Sequence, residues 1–103
     1  LELFRKAHYD LDIVKSLLSK PDTRHITRRS KTEAYSLGYV TVDEMVERVC
    51  SLKRSEIEKT MTADADSTLW QDVYKTYDDD VLLYIKLQIN HDDNGVIISF
   101  HKA

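Results

Sequence analysis

The 103-residue chain has few of the residues that punctuate or staple a small protein: two glycines, one proline and one cysteine. A lone Cys50 excludes an internal disulfide framework and fits a reducing compartment. Gly38 and Gly95 are too few to build a glycine-rich phosphate loop, and neither GxGxxG nor GxSxG occurs. Nucleotide-fuelled chemistry and the commonest serine hydrolase layout are therefore disfavoured. No apolar run approaches the ~20 residues that span a bilayer, and no stretch resembles a signal peptide. The chain starts at Leu1 without a methionine, so a processed or trimmed start is expected and Leu1–Arg5 is given little weight.

Metal-ligand spacing is equally scarce. His8, His25, His91 and His101 are scattered, with one cysteine among them, and show no zinc pattern. Asp78, Asp79 and Asp80 are adjacent, so their side chains alternate sides and cannot all converge on one ion. His91-Asp92-Asp93-Asn94-Gly95 lacks the alternating acids and the distal glutamate of a calcium loop. Both acidic stretches read as hairpin turns, and no metal or other cofactor is expected. Cys50 lies on a predicted helix beside Val49 with no histidine near it in sequence, which favours a buried structural thiol over a nucleophile.

What the chain has is a core and an uneven charge. Its 42% hydrophobic and 32% charged residues suit one globular domain over 1–103. The formal net charge is −3, which taken globally speaks weakly against a nucleic-acid partner. Residues 1–54 carry +3 and residues 55–103 carry −6. Lys20, Arg24, Arg28, Arg29 and Lys31 cluster in twelve positions against a single Asp22. Such a run attracts phosphate locally, because electrostatics is felt over about 8 Å at physiological salt. A solvated helix face would look the same in sequence.

Periodicity divides the chain into a helical part, about 10–54, and a sheet part, about 55–102. Asp10 caps a helix whose apolar residues are Leu11, Ile13, Val14, Leu17 and Leu18, with Pro21 beyond its end. Thr23–Ile26 is a short edge-strand candidate. Thr27 caps a second helix reaching Leu37, with Gly38 as the stop. Thr41-Val-Asp-Glu44 is a capping box opening a third helix with Val42, Met45, Val46 and Val49 on its apolar side. The period then falls to two. Strands are predicted at Ile57–Met61, Leu69–Thr76, Val81–Ile89 and Gly95–His101, with turns at Asp64–Thr68, Asp78–Asp80 and Asn94-Gly95. In the last strand, strict alternation puts Val96, Ile98 and Phe100 on one side and Ile97, Ser99 and His101 on the other. Helices followed by a mostly antiparallel meander make an α+β domain.

Lys59, Gln71, Tyr84 and His101 each fall on a different predicted strand. Strands lie about 4.8 Å apart, so these four side chains can share one sheet face. Cation, amide, phenol and imidazole together suit metal-free RNA cleavage: a base takes the 2′-hydroxyl proton, an acid protonates the 5′-oxygen, and a cation holds the phosphorane. A wet sheet face without chemistry presents the same residues. Trp70 and Tyr74 offer base stacking or core packing, and their place on the strand face opposite Gln71 favours the core.

Lys59-Thr-Met-Thr62, Leu69-Trp-Gln-Asp-Val-Tyr74, Leu83-Tyr-Ile-Lys86 and Ile97-Ile-Ser-Phe100 resemble, in order and spacing, the signature blocks of the MqsR toxin family. The resemblance covers about residues 10–102 and is strongest from Glu56 onward. It implies a RelE-like α+β fold and a type II toxin that cleaves mRNA in the bacterial cytoplasm. It also implies silencing by a cognate MqsA-like antitoxin with its own zinc-binding and DNA-binding parts. Position by position it assigns catalysis to Lys59, Gln71 and Tyr84, while the family's last lysine falls on His101, followed by Lys102. In this reading Lys59 stabilises the phosphorane, Tyr84 or His101 moves protons, and Gln71 orients phosphate or base. Arg24, Arg28, Arg29, Lys86 and Lys102 track the RNA backbone. The substitution at His101 leaves a second reading open, a non-catalytic RNA- or protein-binding module on the same fold.

Overall fold

The computed structural model describes residues 3–4 and 6–103. Of the start set aside above, Leu1, Glu2 and Arg5 lie outside the described residues, whereas Leu3–Phe4 supply the first strand, β1. Helices α1 (Leu11–Leu18), α2 (Arg28–Ser36) and α3 (Val42–Cys50) begin where the caps predict. The Asp10 carboxylate accepts the Asp12 N–H at 2.9 Å. The Thr27 hydroxyl accepts from Ser30, and Thr41 and Glu44 satisfy each other's backbone N–H groups at 3.1 Å. Each cap satisfies a donor that the first helical turn leaves orphaned. Gly38 ends the α2 segment at φ 96°, a left-handed conformation that glycine adopts without a Cβ penalty.

The other strands are β2 (Arg24–Ile26), β3 (Ile57–Thr62), β4 (Trp70–Asp78), β5 (Val81–Ile89) and β6 (Gly95–Lys102). They form one sheet in the order β1-β3-β4-β5-β6-β2. The antiparallel meander β3 to β6 is as expected. Both edges come from outside the predicted sheet part: β1, ahead of the helices, runs antiparallel to β3, and β2, between α1 and α2, runs parallel to β6. The architecture is α+β, with the helices on one face of a mostly antiparallel sheet. No helix among the described residues is long and apolar enough to cross a membrane.

The core lies between helices and sheet. Leu11, Val14 and Leu18 of α1 and Met45, Val46 and Val49 of α3 pack on Tyr74, Leu83, Ile85, Leu87, Ile97 and Phe100. Full burial of each such side chain is worth roughly 1.5–3 kcal/mol. Cys50 is half-buried against this cluster, consistent with a packing role. Tyr74 is core, as its strand face implies, and Trp70 stacks on the His8 ring at 4.9 Å and 12°.

Two details correct the sequence reading. Strict alternation fails in β6, where the register with β5 shifts between Lys86 and Leu87: Lys86 pairs with Ser99 but Leu87 with Ile97. Ile98 is the extra residue of a β-bulge, so Ile97 and Phe100 both enter the helix-side core instead of facing opposite ways. The Asn94-Gly95 turn is also displaced. The chain reverses over Asn90–Asn94, with Asp93 left-handed at φ 59°, while Gly95 already pairs with Ile89 inside the sheet. Gly95 serves close packing: a Cβ there would lie 3.0 Å from Leu17 Cβ and 3.2 Å from Leu18 Cγ.

Candidate active site

The sheet face opposite the helices carries the polar residues, and the register places them in rows. One row runs Lys59, Val73, Lys86, Ser99 across β3, β4, β5 and β6. The next runs Lys75, Tyr84, His101. On the other side, Gln71 pairs with Met61 and donates through Nε2 to Gln88 Oε1 at 3.3 Å. Lys59, Gln71, Tyr84 and His101 therefore share one face, on four adjacent strands.

Lys59 reaches that face through a second bulge. Ile57 pairs with Tyr74 and Lys59 with Val73, so Glu58 is the extra residue and Ile57 remains with the core. The Glu58 carboxylate lies 3.9 Å from Lys75 Nζ. Bulges recur beside active sites because they re-aim a side chain without ending the strand.

The Tyr84 and His101 rings are stacked, 4.8 Å between centroids and 12° from parallel. Lys86 Nζ lies 5.8 Å from the Tyr84 ring centroid. His101 Nδ1 is 2.9 Å from the backbone oxygen of Lys102. Partial burial raises the Tyr84 hydroxyl above its ordinary pKa, so it keeps its proton at neutral pH. Lys86 is lowered, first by burial and then by the like charge of Lys59, with Asp64 opposing and Arg29 adding to the effect. Cations crowded on a half-dry face bind an anion with less loss of hydration than a free ammonium would.

The remaining predicted contacts divide. Lys86 is on the face, and Arg28 and Arg29 are exposed at the start of α2, with Arg29 bonded to Glu33 at 2.9 Å. Arg24 is turned the other way. Its strand residue pairs with Gly95, and its guanidinium binds the Leu18 carbonyl and Asp43, each at 3.3 Å, tying α1 to α3. Lys102 pairs with core residue Leu83, so its side chain leaves the sheet on the helix side. Arg24 and Lys102 are therefore not brought to the face that holds the other candidates.

Sequence reasoning missed Lys75 and Gln88. The period of two from Gln71 through Val73 reaches Lys75, and that from Tyr84 through Lys86 reaches Gln88, so the signal was present. Among the described residues no three His, Cys, Asp or Glu side chains converge as a metal site would require. Asp78–Asp80 closes the β4–β5 hairpin, with Asp79 left-handed at φ 54°.

Helices on one side of a sheet and a lysine-, phenol- and imidazole-bearing face on the other define a small α+β protein with one polar sheet face. The family whose pattern fits the chain is described as the motility quorum-sensing regulator, toxin of MqsA, and the match spans residues 6–102. The mRNA interferase toxin MqsR of Escherichia coli (strain K12) is 34% identical over 96 residues, covering 93% of this chain and 94% of that protein. The chain belongs to this toxin family.

Proposed function

We propose that residues 1–103 act as one toxin domain, an endoribonuclease that cleaves mRNA and is restrained by an MqsA-like antitoxin. The observation that supports the chemistry is that Lys59, Gln71, Tyr84 and His101 lie on one sheet face across four adjacent strands, with Lys86 in the row between Gln71 and Tyr84. The family supports the activity and the antitoxin partnership. The antitoxin would bring its own zinc-binding and DNA-binding parts, and the bacterial cytoplasm is where both mRNA and such a partner meet the toxin.

The 2′-oxygen attacks the adjacent phosphorus, the P–O5′ bond breaks, and the products are a 2′,3′-cyclic phosphate and a 5′-hydroxyl. Lys59 and Lys86 neutralise charge on the phosphorane, Gln71 orients the phosphate or a base, and Tyr84 and His101 move the protons. Arg28 and Arg29 extend the cationic track beyond the site. The chemistry uses protein groups alone, so cleavage persists in EDTA.

The experiment measures cleavage of single-stranded RNA by wild type, Lys59→Ala, Gln71→Ala, Tyr84→Ala and His101→Ala, with end-group analysis of the products. One acid or base group is worth about 10²–10⁴-fold, so the Tyr84 and His101 variants should lose activity on that scale. Near-wild-type cleavage in all four variants would reject the site. Wild-type RNA binding without cleavage would instead favour the non-catalytic module.

A further inference from the structure

We propose that His101 is the base that removes the 2′-hydroxyl proton, acting through Nε2, with the Lys102 carbonyl setting the tautomer that makes this possible. The inference rests on the nuclease reading above and divides the two proton-transfer roles that it leaves shared. His101 Nδ1 lies 2.9 Å from the Lys102 oxygen. A carbonyl oxygen only accepts, so Nδ1 must carry the hydrogen of this bond. A neutral imidazole has one N–H, which leaves Nε2 as the bare lone pair.

The ring is also held in plane. His101 and Tyr84 are directly opposed across β5 and β6, and their near-parallel stack fixes the imidazole against the phenol. The carbonyl bond and the stack together restrict the orientation of the Nε2 lone pair, which is the positional order that general base catalysis requires. The resemblance places a lysine at this position. An ammonium has no lone pair to accept a proton, so the imidazole gives this chain a capacity that a charged lysine lacks.

The step balances as follows. The 2′-O–H proton passes to Nε2 as the 2′-oxygen bonds to phosphorus. The P–O5′ bond breaks and the 5′-oxygen takes a proton from the Tyr84 hydroxyl, which burial keeps protonated. The imidazolium proton then returns to the tyrosinate directly or through solvent, restoring both groups.

The test combines spectroscopy with chemical rescue. Nitrogen-15 chemical shifts of the neutral His101 ring in the intact wild-type protein should show the Nδ1–H tautomer. His101→Ala should cleave about 10²–10⁴-fold more slowly, and added imidazole should restore part of that loss. His101→Asn can still donate to the Lys102 carbonyl but has no base, and should stay inactive. Lys59→Ala should not respond to imidazole. An Nε2–H tautomer, full activity in His101→Asn, or a folded His101→Ala that imidazole does not rescue would each overturn the proposal. Wild-type protein that does not cleave RNA would overturn the nuclease reading instead, so the two failures are distinct.

Discussion

Asp72 provides the sharpest test of how the fold is held. It lies in the Trp-Gln-Asp-Val-Tyr block, where an acidic residue invites a catalytic role, yet it is 1% exposed and on the helix side of the sheet. Its two oxygens accept the backbone N–H groups of His8 and Tyr9 at 3.0 and 2.9 Å. Tyr9 completes the attachment, its hydroxyl donating to the Trp70 carbonyl at 2.9 Å and accepting the Trp70 N–H at 3.2 Å. Hydrogen bonds to a charged group contribute about 1.5–3 kcal/mol each, so losing both in Asp72→Ala should destabilise by roughly 3–6 kcal/mol. Against a total stability of about 5–15 kcal/mol this is a large share. Asp72→Asn keeps one acceptor and turns an NH2 toward the other amide, for about half the loss. Urea unfolding gives the magnitude, and hydrogen exchange at the Tyr9 amide gives the location. A loss below about 1 kcal/mol in Asp72→Ala, or unchanged exchange at Tyr9, would refute the reasoning.

Two further predictions concern packing and pH. Gly95→Ala should cost about 1–3 kcal/mol in denaturant unfolding, because the new methyl meets Leu17 Cβ at 3.0 Å and α1 must lift off β6; an unchanged midpoint would show that the helix yields freely. Asp66 is held at about 2 instead of its ordinary 3.8 by the Thr68 hydroxyl first, then His91 and the Thr68 N–H. Its folded pKa is depressed, so its contribution is complete above pH 3.8 and lost as pH falls through about 2. The Thr68 amide resonance should titrate near 2, and a midpoint near the ordinary carboxylate value would remove the clamp between the β3–β4 and β5–β6 loops.

What was legible in the sequence was mostly local. Helix caps at Asp10, Thr27 and Thr41 depend on groups within three residues, and each forms as read. The strand period of two revealed the meander and the shared face of the four candidates. What depended on a neighbouring strand was not legible. Nothing in Gly95–Lys102 alone says that Ile98 is unpaired, since β-branched runs fit either face until a partner fixes the register. The same holds for Arg24, whose basic neighbourhood suggested RNA while its strand parity and the Leu18 carbonyl hold it among the helices. Gly95 followed an asparagine and so imitated a turn, although its lack of a side chain answers to α1, far away in the chain.

The bulges at Glu58 and Ile98 act as parity switches between two alphabets written on the same strands. Before each, odd and even positions are assigned to core and site in one sense, and after it in the other. In β6, counting by twos from core residue Ile97 would send Ser99 and His101 toward the helices and Phe100 into solvent. Drawing Ile98 into the regular ladder would thus exchange a core aromatic for a site histidine, whereas deleting it would leave both on their present faces. Lys59 and His101, at opposite margins of the face, each depend on one residue staying out of the ladder. A single deletion in these two strands should therefore be tolerated at Glu58 or Ile98, where it removes only the bulge, and not in the middle of the paired runs beside them, where it turns every later side chain to the other face.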